Sequence, residues 1–340
     1  MTARAAHFES LPLEYVRCGL CPHACRIAPS ALGRCRTRRN EAGTLEVTTY
    51  GLLEAVASDP VEKKPLFHYR PSTFTFSVAS AGCNLECPFC QNHDLSQALR
   101  SCDPDRLRAR PWTADQIVAA ARREGCASIS FTYSEPVLSF ELARDVAALA
   151  APLSLDVVFV TNGQAERAPA EELGAFLAAA NVDLKCFSAK SYSDVLGGSL
   201  EAATRTIEIL HGRGVWVEVT TLVVPGFNDS DEELAATARF IAGVDRDMPW
   251  HVSRFHPDHL WLDRGPTPPA ALDRARELGR DEGLRYVYTG NLPGSDGEKT
   301  RCAACGAVVI DRHGYQVSLA GLKKGRCAAC GERIAGKGLT

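Results

Sequence analysis

Between about residue 71 and residue 295, short runs rich in β-branched and aromatic residues alternate with longer Ala- and Leu-rich segments. The runs are typical of buried strands, and the longer segments have helical periodicity, mostly after Thr, Ser, Asp or Pro at a capping position. The predicted strands are 74–80, 128–132, 155–161, 181–185, 215–224, 250–255 and 286–289. The predicted helices are 113–124, 137–150, 169–180, 201–212, 230–242 and 269–282.

This alternation predicts an α/β fold with about six strand–helix units around a parallel sheet. Six units are fewer than the eight of a complete barrel, so a partial (β/α)6 TIM-like barrel and an open doubly wound sheet are the alternatives. In both architectures the chemistry lies just past the carboxyl ends of the strands, where the loops converge. Unusual polar segments follow six of the predicted strands at these positions.

The two ends of the chain do not continue the alternation, and each contains four cysteines. We therefore predict an N-terminal four-cysteine module at 1–70, a central partial barrel at 71–295 and a C-terminal Cys-rich module at 296–340.

Charge is distributed unevenly along the chain. The 340 residues include 38 Lys and Arg against 41 Asp and Glu, so the net charge of −3 does not require a nucleic-acid or membrane partner. Residues 1–70 carry +3 and residues 297–340 carry +5, which leaves −11 between them. No stretch approaches the roughly 20 apolar residues of a membrane span, and the first residues lack the apolar core of a secretory signal. We expect a soluble cytoplasmic protein with no membrane partner.

Eleven of the fourteen cysteines lie in three tight clusters. In a long chain in a reducing compartment, closely spaced thiols are more often metal ligands than disulfides. The clusters have four, three and four members: Cys18, Cys21, Cys25 and Cys35; Cys83, Cys87 and Cys90; and Cys302, Cys305, Cys327 and Cys330.

The middle cluster has the spacing C-x3-C-x2-C in a loop that follows the first predicted strand. Soft sulfur ligands select zinc or iron–sulfur clusters. A structural zinc site normally has four ligands, so a zinc site here would need a distant fourth residue. Three thiolates on a four-iron cluster instead leave one iron open to a substrate.

This loop resembles the cluster loop of the radical S-adenosyl-L-methionine (SAM) superfamily. The resemblance implies a barrel of the radical SAM type and a 4Fe-4S cluster on Cys83, Cys87 and Cys90, whose open iron binds SAM. Such a cluster reductively cleaves SAM to methionine and a 5′-deoxyadenosyl radical, which abstracts hydrogen from a substrate that the sequence does not identify. The resemblance also implies an electron donor such as reduced flavodoxin or ferredoxin.

Other polar segments resemble the SAM-binding loops of the same superfamily. Ser134 and Glu135 stand where members carry a Gly-Gly-Glu-Pro type segment, with Tyr133 and Ser134 in place of the two glycines. An Asp can hold a ribose hydroxyl, and a Lys can pair with the methionine carboxylate. The resemblance implies SAM contacts at Ser134, Glu135, Thr161, Asn162, Asp183, Lys185, Glu218 and His256.

The two terminal cysteine sets have different patterns. Cys302-x2-Cys305 and Cys327-x2-Cys330 are each followed by Gly and look like the knuckles of a zinc ribbon, so we predict zinc. The set at Cys18, Cys21, Cys25 and Cys35 is compatible with zinc and with an auxiliary four-iron cluster. The adjacent run RCRTRR is either a phosphate-binding patch or a solvated basic face.

Over nearly its whole length the chain resembles the radical SAM enzymes of the AmmeMemoRadiSam system. The motifs are CGLCPHAC, GRCRTRRN, DPVEKKPLFHY, AGCNLECPFCQN and two CxxCG knuckles. The core is also similar to pyruvate formate-lyase activating enzymes, but the chain after Cys90 is too short for the ferredoxin-like insert of many glycyl-radical activators. The resemblance implies Memo-like and AMMECR1-like system proteins as partners.

The sequence therefore predicts a radical SAM enzyme of unknown substrate. The basic ends beside an acidic centre favour RNA or an acidic protein as the large anionic partner. Two alternatives remain open: a glycyl-radical-enzyme activase, and a non-catalytic zinc-ribbon protein that binds nucleic acid.

Overall fold

The computed structural model describes residues 2–104, 107 and 109–339. The first part of the chain forms short antiparallel strands, with 3-10 turns at Pro12–Glu14 and Val61–Lys63. The strands are β1 (Ala3–Arg4), β2 (Phe8–Ser10), β3 (Val16–Cys18), β4 (Arg26–Ile27), β5 (Arg38–Glu41), β6 (Thr44–Val47), β7 (Leu52–Leu53) and β8 (Ala55–Pro60). Two three-stranded sheets result, β1–β6–β5 and β2–β3–β4.

From residue 74 onward strands alternate with helices. The strands are β9 (Phe74–Ala79), β10 (Arg110–Pro111), β11 (Ser128–Phe131), β12 (Asp156–Thr161), β13 (Ala179–Asp183), β14 (Trp216–Val223), β15 (Trp250–Arg254) and β16 (Val287–Gly290). The helices are α1 (His93–Ser96), α2 (Ala98–Ser101), α3 (Ala114–Arg123), α4 (Phe140–Ala150), α5 (Arg167–Phe176), α6 (Ala189–Ser191), α7 (Leu200–Gly212), α8 (Asp231–Val244) and α9 (Pro269–Asp281). A π-helical turn at Tyr192–Leu196 follows α6.

The central sheet has the order β16–β15–β14–β13–β12–β11–β9–β8. Its first seven strands are parallel, and β8 pairs antiparallel with β9 at the edge. Helices α3, α4, α5, α7, α8 and α9 connect successive parallel strands, which gives six strand–helix units and a closing strand. Among the described residues the edges β8 and β16 do not pair, so the sheet is open. The predicted α/β fold is confirmed.

Capping side chains fix where several connecting helices begin. Thr113 accepts a hydrogen bond from the Gln116 backbone, and Gln116 returns one to Thr113, which is a capping box at the start of α3. Ser199 caps α7 and Ser230 caps α8. Each serine side chain accepts one hydrogen bond from a backbone N–H in the first turn of its helix. Each cap fixes the residue at which its helix begins. It therefore also fixes where the preceding loop, which runs from the carboxyl end of a strand, must end.

One stretch differs from the predicted secondary structure. A helix was expected over 169–180 and a strand over 181–185, but α5 ends at Phe176 and β13 begins at Ala179. Alanine has the highest helix propensity, but Ala179 and Ala180 are fully buried between β12 and β14, so packing decides their conformation. The single-turn helices α1 and α2 were not predicted.

The amino ends of the parallel strands are closed by residues from both ends of the chain. Glu218, buried in β14, accepts hydrogen bonds from the backbone of Phe67 (3.0 Å) and His68 (2.7 Å). Arg312, from the C-terminal module, donates to the carbonyl oxygen of Phe67 at 2.6 Å and lies over its ring. Together these contacts form what we call the floor of the barrel.

The C-terminal module is a small β structure. Its strands are β17 (Thr300–Arg301), β18 (Val308–His313), β19 (Gln316–Ser318), β20 (Leu322–Lys323) and β21 (Arg326–Cys327). They form the sheet β17–β18–β19 and the hairpin β20–β21.

At the other end of the chain, β8 lies within the predicted N-terminal module but pairs with the central sheet. The domain boundaries at 70/71 and 295/296 stay a prediction.

Candidate active site and cysteine-rich metal centres

A cavity of about 310 Å³ lies at the carboxyl ends of the parallel strands. It is where both predicted architectures put the chemistry. Loops or strand ends from β9, β11, β12, β13, β14 and β15 all contribute to its wall. The contributing side chains include Cys83, Cys87, Cys90, Tyr133, Ser134, Glu135, Asn162, Asp183, Lys185, Thr220, Leu222 and Ser253.

The loop after β9 carries three cysteines into this cavity. Gly82 has φ +111°, a conformation that side chains rarely adopt, and a Cβ there would lie 2.7 Å from Thr37 Cγ2. Cys83 Sγ accepts hydrogen bonds from the Leu85 backbone N–H at 3.4 Å and from Asn162 Nδ2 at 3.6 Å. Glycine therefore lets the chain turn tightly enough to bring the first sulfur over the sheet.

Burial favours the protonated thiols of Cys83 and Cys87 when no metal is bound. It raises the pKa of Cys87 to about 12 and holds the pKa of Cys83 well above its usual value. A metal ligand must be deprotonated, so assembly of a cluster displaces these protons. In an assembled cluster, the positive charge of the metal ions offsets the negative charge of the buried thiolates.

Glu135 organises the next two loops instead of pointing freely into the cavity. Its carboxylate accepts hydrogen bonds from Thr161 Oγ1 (2.6 Å), from the Asn162 backbone N–H (2.8 Å) and from the Val137 backbone N–H (2.9 Å). Burial raises its pKa to about 7. The residue before Ser134, Tyr133, has φ +67°, so this backbone is held in a left-handed conformation at the cavity wall. Glu135 thus fixes the Thr161–Asn162 turn.

Asp183 and Lys185 form an ion pair on the cavity wall. Lys185 Nζ lies 2.7 Å from Asp183 Oδ2. Burial lowers the pKa of Lys185, but the charge and hydrogen bond of Asp183, together with Cys87 and Cys90, raise it by more, and the net pKa is above the usual range. The nearby Thr220 hydroxyl is buried and has no hydrogen-bond partner in the described part of the chain. The wall therefore offers a cation, a carboxylate and an unpaired hydroxyl to a polar ligand.

Comparison with known proteins identifies this arrangement. Residues 77–241, which include the cysteine loop and most of the cavity wall, match the model of the Radical SAM superfamily. The chain is also 40% identical over 319 residues to the uncharacterized protein MJ0808 of Methanocaldococcus jannaschii, covering 94% of each chain.

The chain belongs to the Radical SAM superfamily.

One solved structure shares this fold, and a second is similar over part of the chain. Streptococcus suis SuiB bound to its precursor peptide SuiA superposes with a TM-score of 0.50 at 16% identity, over 68% of this chain and 51% of SuiB. A domain of a pyruvate-formate lyase-activating enzyme from Bacteroides vulgatus gives a TM-score of 0.42 at 16% identity, over 48% of this chain and 98% of that domain.

Membership in the radical SAM superfamily implies SAM and an iron–sulfur cluster, and the residues fit both. Three cysteines on one loop face the cavity, whose volume of about 310 Å³ lies within the range of small-ligand pockets. Radical SAM enzymes also need an electron donor. Within residues 2–104, 107 and 109–339, the structure has no helix both long and apolar enough to cross a bilayer.

The structure brings most, but not all, of the predicted SAM contacts of this radical SAM protein to the cavity. Ser134, Glu135, Asn162, Asp183 and Lys185 line it. Thr161 stands one residue before Asn162 and donates to Glu135, as described above.

Glu218 and His256 lie elsewhere. Glu218 is fully buried in the floor of the barrel, where its oxygens already accept four hydrogen bonds, two of them from Trp216 Nε1 (3.0 Å) and His251 Nε2 (2.7 Å). His256 is exposed at the rim, with its Nε2 2.9 Å from Gln91 Nε2. The structure does not bring either residue into the cavity wall.

One cluster at the cavity wall was missed by sequence reasoning. Asp59 accepts hydrogen bonds from Lys63 Nζ and Lys64 Nζ, each at 2.7 Å, and from the Tyr133 hydroxyl. Burial lowers the pKa of Lys64 to about 8. Lys63 and Tyr133 both line the cavity. The consecutive lysines in DPVEKKP were the available signal, but their link to Tyr133 spans about 70 residues.

The C-terminal cysteine set has the geometry of a single-ion site. The sulfurs of Cys302, Cys305, Cys327 and Cys330 all lie within 4.8 Å of one another. The Cys302–Cys330 and Cys305–Cys327 sulfur distances are 3.6 and 3.7 Å. A tetrahedral zinc ion with Zn–S bonds of about 2.3 Å gives sulfur separations of about 3.8 Å.

The N-terminal cysteine set is built differently. Cys18, Cys21, Cys25 and Cys35 line one cavity. Among the described residues, no three of these sulfurs meet the 4.8 Å separation that the C-terminal set satisfies. The two terminal sets therefore differ in how close their sulfurs lie.

Proposed function

We propose that the protein is a radical SAM enzyme with a 4Fe-4S cluster on Cys83, Cys87 and Cys90 and SAM in the adjoining cavity. The main support for this proposal is that these cysteines line the same cavity as Asn162, Asp183 and Lys185. When bound, the cluster supplies the electron that cleaves SAM to methionine and a 5′-deoxyadenosyl radical, which then abstracts hydrogen from a substrate.

Different residues of the cavity wall bind different groups of SAM. Lys185 is charged and buried, and it pairs with the methionine carboxylate in exchange for part of its contact with Asp183. Asp183 accepts a hydrogen bond from a ribose hydroxyl. The backbone at 133–135 is held by Tyr133 and Glu135, and its carbonyls face the SAM ammonium. Loops on six strands surround the cavity, so bound SAM and substrate would displace water from it and protect a reactive intermediate from side reactions.

We assign the enzyme to the AmmeMemoRadiSam system, with Memo-like and AMMECR1-like proteins as partners and reduced flavodoxin or ferredoxin as electron donor. Support comes from the cysteine motifs at both ends and from the segment DPVEKKPLFHY, part of which reaches the cavity wall through Lys63. The basic ends favour a large anionic substrate, RNA or an acidic protein. The C-terminal four-cysteine set holds zinc, in agreement with its sulfur separations.

The test is anaerobic reconstitution followed by reduction with dithionite in the presence of SAM. We expect 5′-deoxyadenosine from the wild-type protein and none from Cys87→Ala. Cys102→Ala is the matched control, because Cys102 is a half-buried cysteine that donates to the Ala98 carbonyl oxygen outside all three sets. A fully loaded wild-type cluster that yields no 5′-deoxyadenosine would refute the proposal.

A further inference from the structure

Sulfur separation distinguishes the C-terminal cysteine set from the other two sets of this protein. Four thiolates on one tetrahedral ion are held about 3.8 Å apart, whereas thiolates on the separate irons of a cubane are farther apart. The C-terminal set has the short separations. Neither the Cys83 loop nor the N-terminal set meets the 4.8 Å separation within the described chain. By this internal comparison the N-terminal set groups with the iron–sulfur loop and not with the zinc site.

The four N-terminal cysteines border one cavity. They line it together with the apolar side chains Leu20, Ile27 and Leu138 and with the polar side chains His23 and Arg38. Four cysteine thiolates are the usual ligand set of a four-iron cluster.

A buried cation faces the same cavity. Arg38 is 1% exposed, lines the cavity and contacts Glu141 through Nη2 at 2.9 and 3.1 Å. Its Nη1 donates to the Leu138 carbonyl oxygen at 3.1 Å, but its Nε has no partner in the described part of the chain. A buried guanidinium N–H without an acceptor is costly, and a sulfur ligand would satisfy it.

We propose that Cys18, Cys21, Cys25 and Cys35 bind a second 4Fe-4S cluster that passes electrons to the cluster of the Cys83 loop. With four protein ligands, this second cluster has no iron open to SAM. Its role is therefore electron transfer and not SAM cleavage. The electron-transfer role rests on the proposed function, whereas the identity of the metal does not.

Direct contacts join the two sites. His23, which lines the N-terminal cavity, donates from Nε2 to the carbonyl oxygen of Asn84 at 2.7 Å. Asn84 follows Cys83, and its side-chain oxygen accepts from Asn162, which also contacts the Cys83 sulfur. A Cβ on Gly82 would lie 3.6 Å from the Cys35 carbonyl oxygen. The last ligand of one site, Cys35, and the residue before the first ligand of the other, Gly82, thus lie on neighbouring segments.

The electron balance is simple. A one-electron donor protein of the flavodoxin or ferredoxin class is oxidised by one electron, and the second cluster is reduced by one. That electron then moves to the Cys83 cluster, which restores the second cluster to its oxidised form. No bond is made or broken and no proton is transferred in this relay. The net charge of +3 on residues 1–70 favours an acidic donor at this end.

The metal is tested in the full-length chain with the Cys83→Ala/Cys87→Ala/Cys90→Ala variant, reconstituted anaerobically. We expect about four irons per chain and the Mössbauer signature of a 4Fe-4S cluster, because the N-terminal ligands are intact. Wild type should hold about eight irons and about one zinc. A variant that retains no iron and binds about two zinc ions would overturn the proposal. This result does not depend on SAM cleavage, so it is independent of the proposed function.

The relay is tested with Cys25→Ser, whose cysteine is only partly buried. After reconstitution, 5′-deoxyadenosine formation is compared between reduced flavodoxin and dithionite as electron sources. We expect the flavodoxin-driven rate to fall at least tenfold more than the dithionite-driven rate, and the electron paramagnetic resonance signal of the second cluster to change. Equal losses with both reductants would refute the relay, and absence of product from wild type with dithionite would instead refute the proposed function.

Discussion

The side-chain nitrogen of Asn162 lies 3.6 Å from the sulfur of Cys83 and 2.9 Å from the side-chain oxygen of Asn84. A hydrogen bond to a cluster thiolate stabilises the reduced, more negative cluster and so raises its reduction potential. We expect Asn162→Ala to lower the reduction potential of the Cys83 cluster and to slow 5′-deoxyadenosine formation severalfold. A redox titration followed by electron paramagnetic resonance measures the shift.

Asn291→Ala is the control for that measurement. Asn291 lines the same cavity, but its side chain donates to the Arg254 carbonyl oxygen at 3.3 Å. Its replacement should leave the potential unchanged. A potential that is equal in the Asn162 variant and in wild type would contradict the assigned hydrogen bond.

Lys185 provides the second prediction, which concerns SAM affinity. Lys185→Met keeps the length of the side chain but removes its charge from the cavity wall. A charge-assisted hydrogen bond contributes about 1.5–3 kcal/mol, so the Kd for SAM should rise about tenfold or more. Equilibrium dialysis with the cluster-loaded protein measures this, with Lys190→Met as control because Lys190 is exposed on α6 and pairs with Asp194. Equal Kd values would exclude Lys185 from SAM binding.

His68 provides a prediction about pH and stability. It is fully buried, donates from Nδ1 to the Ala335 carbonyl oxygen at 2.6 Å and accepts from the Tyr288 hydroxyl at Nε2. Burial lowers its pKa to about 4, so the folded protein holds it neutral while the unfolded chain takes up a proton near pH 6.5. Its contribution to stability is therefore complete above pH 6.5 and is lost as the pH falls towards 4, by roughly 3 kcal/mol.

Urea unfolding at pH 7.5 and pH 5 tests this contribution. In His68→Gln the free energy of unfolding should depend less on pH between these values than it does in wild type. His313→Gln is the control, since His313 is 70% exposed and should leave the dependence unchanged. Parallel losses of stability in wild type and His68→Gln would show that another group causes the acid sensitivity.

The C-terminal metal site gives a fourth prediction. Cys330→Ser removes one of four ligands, and a module this small depends on its metal for folding. We expect the loss of about one zinc per chain and rapid proteolysis within residues 300–339, while iron at the Cys83 loop is retained. Metal analysis and limited proteolysis with mass spectrometry report both effects. Cys102→Ser should keep its zinc, and full zinc content in Cys330→Ser would exclude this ligand set.

The order of elements was predictable because the hydrophobic pattern of a parallel sheet is local. All seven strands expected between 74 and 290 are present, and the loops that follow them do converge on one cavity. Asp183 and Lys185 could be placed at this cavity because each stands at or just past the end of a strand. The shift at Ala179 arose because alanine indicates helix by propensity although its neighbours in the sheet determine its conformation.

Residues whose role depends on distant contacts could not be placed from sequence. Glu218 stands in the predicted strand, but its position nearer the amino end directs it to the backbone of Phe67 and His68 and not to the cavity. Conversely, Lys63 lies before the first predicted strand and still reaches the cavity wall beside Tyr133. Neither outcome follows from periodicity, because both depend on how the segment at 61–70 folds back under the sheet.

Arg312 has a consequence for the order in which the chain can mature. Its guanidinium reaches the floor of the barrel, where Glu62 lies 3.8 Å away and Phe67 accepts its hydrogen bond. Arg312 is synthesised after the whole central sheet. The carboxylates of the floor, Glu62 and Glu218, therefore have no contact with the Arg312 guanidinium until the end of synthesis. Arg312 lies between the two cysteine pairs of the C-terminal module, so the floor of the barrel gains this cation only when that module folds.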